Sequence, residues 1–228
     1  MPATLSYAGR TEAPRAQPIP VRVSGFGGVQ GLAAYLRDAR VTHLVDATHP
    51  FAAMMSANAV AAAQLAGIPL VALTRPAWVP VPGDRWTRVA DIQSAVAALG
   101  GPARRILLAL GRMHVADFAA MPQHHYVLRF VDAPTAPPLL PDHTLIVDRG
   151  PFTPEGDRAL METHGVDLVV CKNAGGSGAE AKLIAARALG IPVLMIDRPT
   201  LPPRPEVTDP AAVLEWLAHT PAPTERGV

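Results

Sequence analysis

The stretch THLVDATHPFAAMMSANAVAAAQLAGIPLVALTRP, Thr42 to Pro76, has an echo in DLVVCKNAGGSGAEAKLIAARALGIPVLMIDRP, Asp167 to Pro199. Each reads as an apolar strand, a polar or Gly-rich turn, an Ala-rich helix, the signal Gly-Ile-Pro, a second apolar strand and then Arg-Pro. Strand, crossover helix and strand in this order make a βαβ unit, whose strands run parallel with a right-handed connection. Two such units predict an α/β chain of two similar halves. In open parallel sheets, ligands sit outside the carboxyl ends of the strands, where these turns lie.

Working outward, Thr4–Ala8 reads as a short strand ending in Gly9-Arg10-Thr11, and Val21–Val23 as a second that runs into Ser24-Gly25-Phe26-Gly27-Gly28. Helical spacing covers Gly31–Ala39, with Leu32, Tyr35 and Leu36 on one face. The strand His43–Ala47 leads to a helix with Pro50 near its first turn, and Gly67 closes that helix as a C′ glycine. The strand Pro69–Thr74 ends the first half. A helix at Asp91–Leu99 precedes Gly100-Gly101-Pro102, the clearest boundary signal in the chain. Beyond it come strands at Arg105–Leu110, Tyr126–Phe130 and Leu145–Val147, and a short helix at Val115–Met121. Thr153 and Pro154 read as the N-cap and first residue of another helix. The echoed unit follows, then a last helix at Pro210–His219. The expected architecture is two Rossmann-like parallel-sheet domains with a cleft between them, over residues 1–100 and 101–219, followed by a flexible tail at 220–228.

The 228 residues suffice to bury a proper core, with 49% hydrophobic and 17% charged side chains. A balance of 20 basic against 19 acidic residues supplies no general attraction for nucleic acid. Apolar runs are broken before membrane-spanning length, and the N-terminus has no basic region followed by a long apolar run. The single cysteine, Cys171, excludes an intrachain disulfide. The chain reads as soluble and cytoplasmic, and a monomer is compatible with it.

Polar chemistry gathers in the turns. Asp46-Ala47-Thr48-His49-Pro50-Phe51 follows a strand at the start of a helix, where free N–H groups favour an anion or a polarised oxygen. The same residues also suit plain capping, with His49 exposed. Lys172-Asn173-Ala174-Gly175-Gly176-Ser177-Gly178 allows close backbone approach to a ligand, although its lysine precedes the glycines and no P-loop is formed. Lys182, the other lysine, reads as a surface residue. Arg75, Arg112, Arg149 and Arg198 each follow a predicted strand, a recurrence that suggests a cleft facing an acidic ligand. Arg10 stands where an arginine after a strand favours the 2′-phosphate of NADP. The histidines lack metal-ligand spacing, and no metal is expected.

Together these turns resemble the precorrin-6A reductase family of cobalamin biosynthesis. The resemblance is carried by A-G-R-T (8–11), G-F-G-G (25–28), D-A-T-H-P-F-A (46–52), R-P-A-W (75–78), R-G-P-F (149–152) and K-N-A-G-G-S-G-A-E-A-K (172–182), with D-R-P (197–199) downstream. It implies NADPH-dependent reduction of the tetrapyrrole precorrin-6A to precorrin-6B, by hydride transfer to a macrocycle double bond. It implies cofactor contacts at Arg10, Thr11, Gly25, Gly27, Gly28, Asp46, Thr48 and Pro50, and catalytic roles for Thr48, His49 and Lys172. Substrate contacts fall to Phe51, Arg75, Trp78, Arg112, Lys172, Asn173, Gly175, Gly176 and Arg198, with Phe51 and Trp78 meeting the ring.

This chain departs from the family pattern at Ala174, where K-x-S-G is common. Members of the family also begin with a strand, a G-G-T turn and a helix before A-G-R-T, so the first domain is expected to lack that strand and turn; either the start codon lies upstream of Met1, the favoured reading, or the cofactor site is incomplete. Two other readings remain open. One is a cofactor-free two-domain tetrapyrrole enzyme of the uroporphyrinogen-synthase type. The other is a non-catalytic NADP-binding sensor.

Overall fold

The computed structural model describes residues 2–7 and 16–223. Arg10, Thr11 and the end of the expected tail, residues 224–228, lie outside the described residues. The fold is mixed α/β with parallel strand pairing, and it divides into two compact units.

The first unit takes the chain up to Thr48, then Ala52–Thr74, and resumes at Leu201. Strands β1 (Leu5–Tyr7) and β2 (Val21–Val23) pair in parallel, Leu5 opposite Val21. Helix α1 (Gly28–Asp38) follows, and then the first copy of the echo: β3 (Leu44–Asp46), α2 (Ala53–Ala66) and β4 (Leu70–Leu73). Strands β3 and β4 pair in parallel, as the βαβ reading requires. The small faces of α2 let α1 approach closely, so Leu32, Ala33 and Leu36 bury against Ala59 and Ala62. Gly67 ends α2 in the left-handed region at φ 69°, where a Cβ would be strained.

The second unit comprises His49–Phe51 and Arg75–Thr200. Its elements are β5 (Trp86–Val89), α3 (Ile92–Ala97), β6 (Arg105–Ala109), β7 (His125–Phe130), β8 (His143–Val147), α4 (Pro154–Thr163), β9 (Leu168–Lys172), α5 (Ala181–Leu189) and β10 (Val193–Ile196). The six strands form one parallel sheet in the order β5-β10-β9-β6-β7-β8. Side chains alternate across it with period 2. Ile106, Leu108, Tyr126, Leu128 and Val170 face one core. Leu107, Val127, Val169 and Cys171 face the other. A parallel sheet covered on both faces needs such continuous apolar strands. Thr153 caps α4 by accepting the Gly156 N–H at 3.1 Å, with Pro154 in the first helical position.

Several expectations change. The units do not divide at Gly100: residues 75–100 belong to the second unit because β5 hydrogen-bonds to β10, Val193 opposite Trp86. The last helix, α6 (Pro210–His219), belongs to the first unit with β11 (Glu206–Val207), which pairs with β4 in a three-stranded sheet of order β11-β4-β3. Helix α2 starts at Ala53, so Pro50 lies in a turn before it. Val115–Met121 forms 3-10 turns instead of an α-helix. Thr220 is anchored, its carbonyl 2.9 Å from a His43 ring nitrogen. Among the described residues, no helix is long and apolar enough to cross a membrane.

Candidate active site

In the second unit the register sets Ala109 beside Cys171 and Cys171 beside Met195. The carboxyl ends of β6, β9 and β10 therefore lie side by side, and Arg112, Lys172 and Arg198 stand at or just beyond them. Arg112 opens a 3-10 turn and is exposed. Lys172 and Arg198 join Arg75 around His49. Partial burial first, and then the positive charges of Arg75, Lys172 and Arg198, together pull the His49 pKa down to about 4. His49 is thus neutral near pH 7. Its Nδ1 accepts the Phe51 N–H at 3.2 Å, which leaves the ring proton on Nε2.

Phe51 packs partly buried against the core, with the Lys172 ammonium 5.1 Å from its ring centroid. The ring expected to meet the macrocycle thus has a cation beside it.

The Lys172–Gly178 turn is laced to the segment after Arg75. Asn173 Oδ1 accepts the Trp78 N–H at 2.8 Å, and Asn173 Nδ2 donates to the Trp78 carbonyl at 2.9 Å. Trp78 Nε1 donates to the Gly176 carbonyl at 2.8 Å, and the Gly176 N–H to the Pro76 carbonyl at 3.2 Å. Trp78 is 8% exposed and sits in a core. Its side chain braces the turn through Nε1. Asn173, 6% exposed, is likewise spent on Trp78.

Arg198 donates to the carbonyls of Asn173 and Ala174 at 3.0 and 3.1 Å. Gly175 and Gly176 have φ of 70° and 71°. A Cβ on Gly175 would stand 2.2 Å from the Pro76 oxygen and 2.3 Å from Arg198 Nη2. On Gly176 it would stand 2.8 Å from Arg75 Cδ. These glycines bring backbone, Arg75 and Arg198 together.

Sequence reasoning missed Lys182. It is 5% exposed, donates to the Ala179 carbonyl, and stands 4.7 Å over the Trp78 ring. Burial, first of all, lowers its pKa. Beneath the turn, burial also raises the Cys171 thiol to about 11, so that cysteine is an inert core residue.

In the first unit, Asp46 is buried at the end of β3 and both its oxygens are engaged. Arg204 Nη1 donates to Oδ2 at 2.6 Å, while the Thr48 N–H and hydroxyl donate to Oδ1 at 3.1 and 2.7 Å. Ser56 then donates to Thr48 Oγ1 at 3.1 Å. Asp46 and Thr48 thereby hold the turn in shape. Pro50, which belongs to the second unit, is buried. Arg204, which comes from a distant Pro-rich segment, was not singled out from the sequence.

Gly25 and Gly27 precede α1, and Gly28 is its first residue. Gly27 and Gly28 have φ of 78° and 80°, and a Cβ on any of the three would meet nothing within 4 Å. No side chain caps α1, and its first turn carries no acidic residue. The backbone is open to a ligand at this point. Among the described residues, no group of three or more His, Cys, Asp or Glu is placed to hold a metal ion.

The profile of the precorrin-6x reductase CbiJ/CobK family matches residues 1–218. The precorrin-6A reductase of Rhodobacter capsulatus is 55% identical over 226 residues, spanning 99% of this chain and 90% of that protein. That of Mycobacterium tuberculosis is 39% identical over 218 residues, spanning 95% and 88%. A cobalt-precorrin-6A reductase of Priestia megaterium is 32% identical over 178 residues, spanning 73% and 69%. A solved structure, CobK precorrin-6A reductase, superposes with a TM-score of 0.91 at 53% identity, covering 98% of this chain and 89% of that one. A family profile over nearly the whole chain, with relatives this close, leaves one conclusion: the chain belongs to the precorrin-6x reductase CbiJ/CobK family.

Proposed function

We propose that this chain reduces precorrin-6A to precorrin-6B with NADPH, in the cytoplasm, as a step of cobalamin biosynthesis. The observation that carries the proposal is the gathering of Arg75, Lys172 and Arg198 about one neutral histidine. Three cations at strand ends, two of them guanidinium forks, suit a macrocycle fringed with acetate and propionate groups. A cofactor-free synthase or a sensor finds no comparable support, because the family is one of reductases.

The cofactor would lie against the first unit, with its phosphates at the Gly25–Gly28 turn and the α1 N-terminus, where open backbone N–H groups and the helix dipole favour an anion. Arg10 and Thr11 would take the 2′-phosphate. When bound, NADPH supplies the hydride. The chain's own residues then bind and orient. Arg75, Lys172 and Arg198 hold carboxylates, and Arg112 extends the positive edge. Asp46 and Thr48, fixed by Arg204 and Ser56, hold the turn at the end of β3. His49 offers its Nε2–H as a hydrogen-bond donor. Because the ring is neutral, it is not the proton store; the proton that completes the reduction comes from water. Orientation of this kind supplies much of the acceleration in a two-reactant transfer.

The test is the anaerobic oxidation of NADPH with precorrin-6A, against NADH and against a chain carrying Arg75→Ala and Lys172→Ala. Turnover by the native chain and a large rise in KM for the variant are expected. A native chain that binds precorrin-6A but leaves NADPH unoxidised would refute the reading.

A further inference from the structure

Lys182 sits in the first turn of α5, buried under the Lys172–Gly178 turn, and none of the roles proposed above uses it. The charges of Arg129, Asp157 and Glu180 act on its amine, which also has two close partners. It donates to the Ala179 carbonyl, and it stands 4.7 Å above the Trp78 ring. Trp78 in turn bonds to Gly176 through Nε1 and to Asn173 through its backbone. Lys182 therefore touches the segment from Asn173 to Ala179 directly at Ala179, and reaches Gly176 and Asn173 through Trp78. Burying an amine is unfavourable unless it is paired. An apolar side chain of similar length would fill the same space at no such cost. What the amine adds is direction, a fixed place for the Ala179 carbonyl and the indole.

We infer that Lys182 is a positioning residue for the carboxylate-binding cluster: through Trp78 and Ala179 it fixes the backbone from Asn173 to Ala179, so that Lys172, Arg75 and Arg198 stand in place before substrate arrives. The inference rests on the proposed reading of that cluster as a carboxylate site. The link from backbone to cations is direct. Arg198 donates to the carbonyls of Asn173 and Ala174, and Arg75 lies against Gly176 so closely that a Cβ there would meet its Cδ at 2.8 Å. A turn that must be ordered by the ligand charges that ordering to affinity, whereas a turn held beforehand does not. Uniform loss of binding raises KM and leaves kcat alone.

The test uses the full chain carrying Lys182→Met. The KM for precorrin-6A should rise about tenfold with kcat within about twofold of native, the pattern of lost uniform binding. The KM for NADPH should not move. Backbone amides of residues 175–179 should exchange with deuterium faster, while those of β9 and β10 keep their protection. An unchanged KM, a fall in kcat alone, or unchanged exchange would overturn the inference.

Should Lys182→Met fail to fold, Trp78→Phe takes its place. It keeps a ring under the amine and removes the Nε1 donor to Gly176, and the same pattern is expected at about threefold in KM; native KM would again overturn the inference. Titration with benzenehexacarboxylate separates the two readings. If the native chain binds this probe but does not turn over precorrin-6A, the functional reading fails while tenfold weaker binding by Lys182→Met still supports positioning. A native chain that binds neither molecule removes the carboxylate reading, and this inference with it.

Discussion

Arg204 donates to the Asp46 carboxylate at 2.6 Å, and both side chains are almost sealed from water, at 6% and 2% exposure. They are 158 residues apart in the chain. The Ala72 N–H bonds to the Pro205 carbonyl at 2.8 Å, which draws this segment alongside β4 and delivers Arg204 to the end of β3. There it neutralises a carboxylate that also receives the Thr48 N–H and hydroxyl.

Removing one partner of such a pair strands a buried charge. Arg204→Met should destabilise the first unit by about 3–5 kcal/mol, and Ser56→Ala by only about 1 kcal/mol. Urea unfolding followed separately in the two units measures both. Equal losses, or a loss confined to the second unit, would contradict the assignment.

How much of this was legible in the sequence follows from what each residue's neighbours in the chain can report. Both echoed βαβ units appear as read, and Gly67 and Gly190 close their helices in the left-handed region because that requirement is local. The Thr153 cap is local too. Strand β5 was missed because it is an edge strand whose Thr87 and Arg88 are exposed, so it lacks apolar alternation, and β11 is two residues long. The boundary at Gly100 failed for the same reason: a Gly-Gly-Pro turn marks a bend, but not which sheet the preceding strand joins. Of the site, the turns were legible, but the long-range partners of their residues were not. Lysines are rarely buried, so Lys182 read as surface. The bonds of Trp78 to Asn173 and Gly176 could not be read because those partners lie 95 and 98 residues away. Nothing near Asp46 in the chain announces Arg204.

Gly175→Ala should be worse than Gly176→Ala. Both place a side chain at positive φ, but the first drives a Cβ into the Pro76 carbonyl at 2.2 Å, whereas the second meets the flexible Arg75 side chain. A larger fall in Tm and a larger rise in the KM for precorrin-6A are expected for Gly175→Ala. Reversal of that order would contradict the close approach.

His49 makes the chain sensitive to mild acid. Its pKa falls from 6.5 to about 4 on folding, so between those values the unfolded chain holds more protons at this residue. Its share of stability is intact above pH 6.5, is lost as pH falls toward 4, and loses no more below that. His49→Gln should lose less Tm between pH 7 and 5 than the native chain does. An NMR titration should show the ring resonances of His49 flat through that interval; a midpoint near 6.5 would remove the cation cluster as a force on this ring.

Arg10→Ala should weaken NADPH by about tenfold or more, the scale of a charge-assisted phosphate contact, and leave NADH nearly unchanged. Isothermal titration with each cofactor decides it. Equal loss for both would take Arg10 away from the 2′-phosphate.

The most direct test of the account is the fate of the nicotinamide hydrogen. With NADPH carrying two deuterons at C4, in ordinary water, the chain should convert precorrin-6A to a product heavier by about 3 Da, one deuteron from the cofactor and one proton from solvent. A product about 2 Da heavier with no deuterium, or oxidation of the cofactor with the macrocycle unchanged, would contradict hydride transfer from NADPH to precorrin-6A.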